Sequence, residues 1–428
     1  MTKNTGSEMH ELCRRLFPIC RSITGEGLRR TLDIISEYLP GLEIFNVPSG
    51  EKCFDWEVPD EWNIRDAYII APNGEKIIDF QKSNLHVVGY SVPVNKKINL
   101  EELQNHLYSL PEQPDAIPYI TSYYRERWGF CLTDNQRKNL APGEYTVVID
   151  SDLKPGNLTY GELILKGESE KEIFLSTYVC HPSMGNNELS GPAVTTFITQ
   201  WLSRLENRKF TYRIVFIPET IGSVVYLSRN LEKLKKNVFA GFVLTCIGDE
   251  RNYSYLSSRT ENTPSDKIAL HVLKNMQPGF IRYSFLERGS DERQYCSPNV
   301  NLPMASLMRT KYGEYPEYHT SRDDLTLITP DGLMGGFDVV QKCLECLERN
   351  EKLRTTVCGE PQLGKRGLYP TLGTKENKKK TENLMNLLAY ADGTLTLLEI
   401  AEKINVPMWD LFENVELLKK EKLLQNAD

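Results

Sequence analysis

EIFLSTYVCHPSMGNNELSG, residues 172–191, decides how the rest of the chain is read. Ile173, Phe174, Leu175, Tyr178 and Val179 form a short apolar and aromatic run, the pattern of a buried strand. The run breaks at His181-Pro182, passes through small polar residues from Ser183 to Glu188, and meets Ser190-Gly191-Pro192. From Ala193 onward Val194, Phe197, Ile198, Trp201, Leu202 and Leu205 recur at helical spacing. A strand ending in a histidine, then a polar loop and a helix start, is where open α/β sheets place their ligands.

Around this stretch, EYTVVIDS, LTYGELILKG, YRIVFIPE and NVFAGFVLTCIG read as strands in quick succession, the later ones alternating with helical patterns. They predict an α/β fold with a mixed, largely parallel sheet covered by helices. Residues 8 to 40 read as two helices. Residues 43–114 carry short alternating runs broken by Pro, Gly and Asn-Gly, which predict a small inserted antiparallel β unit with one helix over 98–110. The core is then expected in 1–42 and 115–358. Residues 359–382, rich in Gly, Pro and Lys without periodicity, read as a linker or arm. Residues 383–428 read as three short amphipathic helices of winged-helix type. The last of them sets Glu413, Glu416 and Glu421 beside its lysines and has no arginine for base edges. Its expected role is protein contact or homo-oligomer formation, with nucleic acid unlikely as a partner.

The 51 basic and 58 acidic residues leave a net charge of -7, which supplies no electrostatic reason for nucleic-acid binding. No apolar run approaches the roughly 20 residues of a membrane span. The stretch MTKNTGSEMHELCRR lacks the apolar core of a secretory signal. The 10 cysteines are scattered, and Cys343 and Cys346 sit in an amphipathic pattern, so helix thiols in a reducing cytoplasm are expected.

Three strand ends carry polar groups suited to chemistry: His181 with Asn187 and Glu188, FIPETIGS with Glu219, and YHTSRDD with His319. A histidine, a carboxylate and a second histidine from separate strand ends meet the needs of a hydrolytic zinc site. There imidazoles hold the ion, and a carboxylate that is not a ligand takes a proton from water. ERGSDERQY, residues 287 to 295, adds Asp291, Glu292 and Arg293, while Arg309 and Tyr318 lie close to His319 in sequence. SYYRERWGFCL reads either as an aromatic corner or as a substrate wall with Trp128, Arg125 or Arg127 facing a ligand.

The succession H-P-S…N-N-E-L-S-G, P-E-T-I-G-S, G-S-D-E-R-Q and Y-H-T-S-R-D-D resembles the co-catalytic zinc aminopeptidase fold. It is most similar to a bacterial aminopeptidase-like family often associated with polysaccharide biosynthesis. That family has a helical start, an inserted small β domain, a peptidase-like core and a C-terminal winged helix, and ERWGFC belongs to its pattern. The resemblance implies His181 and His319 as metal ligands and Glu219 as general base. It also implies departures: the bridging carboxylate falls at Asn187, the ligand after the base at Thr220, and a further aspartate near Thr245 and Cys246. Two zinc ions a few ångströms apart need anionic ligands to offset their repulsion. One zinc ion is therefore expected, with Asn187 or Glu188, or Asp249, Asp291 or Glu292, supplying an oxygen.

Three functions follow. The first is a metal-dependent hydrolase acting on a small aminoacyl, peptide-like or aminosugar substrate, with Asp291, Glu292, Arg293, Arg309, Tyr318 and Trp128 around it. The second is a single-metal acyl or amide transferase on the same scaffold, as glutaminyl cyclases are. The third is a non-catalytic binding or regulatory protein.

Overall fold

The computed structural model describes residues 4–368 and 375–427. The chain divides into two compact units, Met1–Asp266 with Phe280–Asp338, and Lys267–Gly279 with Val339–Asp428.

The first unit is built on an eight-stranded mixed sheet: β1 (Glu43–Pro48), β2 (Asn157–Leu165), β3 (Ser169–Tyr178), β4 (Phe210–Ile217), β5 (Val238–Leu244), β6 (Ser254–Leu256), β7 (Ile281–Tyr283) and β8 (Met304–Met308). Their order across the sheet is β1-β2-β4-β3-β5-β8-β6-β7. The central run β4-β3-β5-β8 is parallel, and antiparallel pairs flank it at β2-β4 and β8-β6. The parallel strands are buried almost end to end, as expected where helices cover both faces. Two of those helices, Ser190–Ser203 and Ile221–Asn237, start just beyond the carboxyl ends of β3 and β4. Gly191 is required at the first start, because a Cβ there would lie 2.5 Å from the carbonyl oxygen of Leu244 and from Thr177 Oγ1. Across the sheet, Arg213 on β4 is buried with Glu172 and Glu162, its Nη2 donating to Glu172 at 2.9 Å.

A four-stranded antiparallel sheet stands beside the main one, ordered Lys76–Asp79, Glu61–Ile70, Glu144–Lys154, Val94–Asn99. It encloses its own apolar cluster around Ile69, Val147, Ile149 and Phe130. Its membership differs from the expected span 43–114 at both ends. Glu43–Pro48 pairs with β2 in the main sheet, and Glu144–Lys154, read as a core strand, is the central strand of the small sheet. Alternating apolar residues mark a strand but not its partner, which is chosen by pairing far along the chain. The helix expected over 98–110 is only one turn, Leu100–Gln104, followed by a short strand at Leu107–Tyr108.

The second unit contains a three-stranded antiparallel sheet, Asp392–Thr396, Lys352–Thr355, Leu424–Asn426, with helices Lys375–Tyr390, Leu397–Lys403 and Phe412–Lys420. Thr396 caps Leu397–Lys403 in a reciprocal box with Glu399. The unit begins earlier than residue 383: it takes Lys267–Gly279 and Val339 onward from the expected core. The helix Lys375–Tyr390 starts inside the expected linker 359–382, of which residues 369–374 lie outside the described ones. Cys343 and Cys346 are buried on the helix Pro330–Arg349, as helix thiols. Among the described residues no helix is long and apolar enough to cross a membrane.

Candidate active site

The carboxyl ends of β3 and β4 bring His181 and Glu219 together. His181 Nε2 lies 3.7 Å from Glu219 Oε2. Its ring lies 5.5 Å, centroid to centroid, from that of His319, which a separate loop carries. Tyr119 packs at 5.1 Å from both imidazoles, and Tyr318 stacks on His319 at 3.9 Å. His319 and Thr220 hold left-handed backbone, with φ of 55° and 65°. For a non-glycine residue, above all a β-branched threonine, this conformation persists only where the surroundings enforce it. Here Tyr119 N–H donates to the carbonyl of His319, and Thr220 N–H to Asp291 Oδ1.

The segment after His181 is a buried turn rather than an open polar loop: Gly185–Leu189 forms a π-helical turn leading into Ser190–Ser203. Buried Asp323 holds its start, accepting from the N–H groups of Asn186 and Asn187 at 2.6 and 2.9 Å. Glu188 thereby reaches His181 Nδ1 at 3.0 Å. Behind them Arg21, fully buried, donates through Nε to the carbonyl of His181 and lies 3.5 Å from Glu188.

Burial sets the protonation states. It holds both imidazoles down to about 3, with Arg21 adding to the effect at His181 and His181 to that at His319. Both rings are therefore neutral. Burial pushes Glu188 up to about 8 against the pull of Arg21. In the tautomer whose Nδ1–H donates to Glu188, the lone pair of His181 Nε2 faces Glu219. Glu219 is raised above the carboxylate range by burial and by neighbouring Asp291, and Ser290 Oγ donates to it at 2.8 Å.

The site has the donor chemistry for a metal cation. His319 Nε2 is buried without a partner, and two neutral imidazoles beside a carboxylate form a donor set for zinc. Cys180, His181 and Glu188 also bring donor atoms within 4.8 Å of one another. Those atoms already bond to each other, and Cys180 Sγ accepts from Glu219 N–H. Thr220 Oγ1 accepts from Arg293, Thr245 Oγ1 shares a 2.6 Å bond with Tyr178, and Asn187 offers only a neutral amide.

Of the other residues expected here, Asp291 and Arg293 lie beside the base through Thr220. Three do not serve as expected. Glu292 is fully buried, and both its oxygens accept internal donors, from Gly289, Ser290, Tyr312 and Ser306. Arg309 is buried against Tyr253 and the carbonyl of Asn252. Trp128 stacks on His106 and joins the small sheet's apolar cluster. Asp249, also considered as an oxygen donor, is committed to Thr310 and Asn186. Arg21, Tyr119, Ser290 and Asp323 were not legible as site residues. A buried arginine near the N-terminus carries no local signature, although its placement after Pro18 in a helix break marks a turn.

The family description "Domain of unknown function (DUF4910)" matches residues 10–350, and a winged helix-turn-helix description matches 351–426. A protein of Clostridium acetobutylicum, provisionally named for polysaccharide biosynthesis and an aminopeptidase-like domain, is 47% identical over 426 residues, covering 98% of this chain and 97% of its own. A crystal structure of a provisionally named peptidase from the same organism superposes with TM-score 0.94 at 45% identity, covering 99% of this chain and 97% of the other. A zinc aminopeptidase from Bacillus subtilis shares the fold at TM-score 0.59 and 11% identity, over 81% of this chain and 96% of its own. This chain therefore belongs to the aminopeptidase-like family that joins a DUF4910 domain to a C-terminal winged helix.

Proposed function

We propose that this protein is a single-metal hydrolase, with zinc as its ion, that cleaves an amide bond of a small aminoacyl, peptide-like or aminosugar substrate. The observation that carries this reading is the pairing of two neutral imidazoles 5.5 Å apart, one with an unpartnered Nε2 and the other 3.7 Å from the half-buried Glu219 carboxylate. His181 and His319 would hold the ion, which when bound would polarise the scissile carbonyl and lower the pKa of water. Glu219 removes the proton from the attacking water and delivers it to the leaving nitrogen. Ser290 holds the carboxylate in place, and Glu188 with Arg21 orients the His181 ring. Tyr318 and Tyr119 flank the imidazoles and shape the space a substrate enters.

The aminopeptidase-like name of the Clostridium relative and the fold shared with a zinc aminopeptidase support the reading. The winged unit is proposed as a protein-contact module, since Phe412–Lys420 carries Glu413 and Glu416 and no arginine. The test is elemental analysis of protein purified without chelator, beside His181→Ala and His319→Ala, followed by an aminoacyl-amide screen. About one zinc per chain, lost in both variants, is expected. Glu219→Gln should retain the metal and lose hydrolysis by roughly 10²–10⁴-fold. A wild-type protein that takes up no zinc even on soaking would overturn the proposal and favour the non-catalytic reading, to which neutral Asn187 and Thr220 already incline.

A further inference from the structure

Around Arg293 lies an open cavity of about 550 Å3 whose lining includes Arg259, Arg288 and Arg293 and not one carboxylate. Each guanidinium is steadied by a neutral partner: Arg259 Nε donates to Asn301, Arg288 Nη1 to the carbonyl of Phe285, and Arg293 Nη2 to Thr220 Oγ1 at 2.6 Å. Each uses one nitrogen there, and a guanidinium carries five N–H donors. Arg288 also lies 4.9 Å over the Phe285 ring, which limits its swing. Three exposed arginines, with no carboxylate among the residues lining the cavity, attract a ligand with more than one negative charge, and arginine forks match phosphate oxygens.

The rest of the wall is mainly apolar, with Trp56, Phe285, Leu286 and Pro298 beside Gln294 and Ser297. Trp56 is 37% exposed, its indole edge-on to Tyr124 at 6.0 Å, and Leu286 is 85% exposed. An indole face beside arginines suits a planar ring attached to the anion. Arg293 links the cavity to the segment that carries the base. Arg293 bonds to Thr220, which follows Glu219 directly, and the loop of Arg293 supplies Ser290 to that carboxylate.

We propose that this cavity binds the far end of the substrate, an organic diphosphate bearing a planar ring, so that the compound cleaved beside Glu219 is a nucleoside-diphosphate-linked amide. Arg259 and Arg288 grip the diphosphate, Trp56 stacks on the ring, and Arg293 ties the anion's position to that of the base. The substrate class rests on the hydrolase reading above, whereas the anion site can be measured without it.

The experiment is calorimetric titration of the full-length protein with uridine diphosphate, uridine and inorganic pyrophosphate at fixed ionic strength. It uses wild type, Glu219→Gln, Trp56→Ala and the double variant Arg259→Ala/Arg288→Ala. All the replaced arginines are at the surface, and a thermal melt verifies that each variant folds. Uridine diphosphate should bind wild type and Glu219→Gln alike, weaken at least tenfold in the double variant, and weaken further with salt. Trp56→Ala should reduce its affinity to that of pyrophosphate, and uridine alone should not bind. Absence of binding to wild type, or equal binding to the arginine variant, overturns the anion site. Binding that survives in a protein hydrolysing no amide overturns the hydrolase reading and leaves the anion site standing.

Discussion

Arg21 shows how far one side chain can govern a site from behind its ligands. It is wholly buried, donates to the carbonyls of His181 and Leu16, and faces Glu188. Removing one partner of a buried charge pair leaves the other uncompensated. Arg21→Met is expected to destabilise the protein by about 3 kcal/mol in urea denaturation and to loosen metal retention. The imidazoles add a pH dependence. Their folded values near 3 lie below the ordinary 6.5, so the unfolded chain binds more protons at acid pH. The stability they contribute is fully present above about 6.5 and is lost as pH falls towards 3. In metal-free protein, the double variant His181→Gln/His319→Gln should show a shallower loss over that window, measured by denaturation at successive pH values.

At the scale of elements, the small sheet is fastened to the main one by Glu61, at the start of the strand Glu61–Ile70. Its carboxylate accepts from Arg29 at 2.8 and 3.0 Å, from Asn63, and from the Asn157 N–H that opens β2. Burial works against the charge, but these donors outweigh it and hold Glu61 at about 2. Because its folded value is depressed, Glu61 stabilises the fold above about 4.5, and that contribution fades as pH falls towards 2. Glu61→Gln should cost about 2 kcal/mol at neutral pH, in the range of hydrogen bonds to charged groups. The difference from wild type should narrow in melts run between pH 4.5 and the onset of acid unfolding. Glycine matters at one junction of this kind: Gly191→Ala would drive a Cβ into the Leu244 carbonyl and disturb the helix start behind His181.

For the molecule as a whole, an ion bound only by the folded state stabilises by mass action. Zinc at a hundredfold over its dissociation constant should add about 2.7 kcal/mol, read as a rise in melting temperature that His319→Ala abolishes. The winged unit should show no salt-sensitive retention of duplex DNA in a gel-shift assay, given the acidic residues of Phe412–Lys420. The sequence by itself determined the α/β class and the winged C-terminal unit, because apolar periodicity is a local signal that survives in one chain. It also determined His181, Glu219 and His319 as candidates, because each stands in a short motif, HPS, PET and YHTSRDD, that the resemblance aligns with a metal site. Only the tertiary structure decided which sheet owns Glu43–Pro48 and Glu144–Lys154, since strand pairing joins residues about a hundred positions apart. It alone withdrew Glu292, Arg309 and Trp128 from the substrate wall, because a polar side chain's partner is chosen by packing and not by its neighbours in sequence. The same reason hid Arg21 and Tyr119, whose roles exist only where distant segments meet around two histidines.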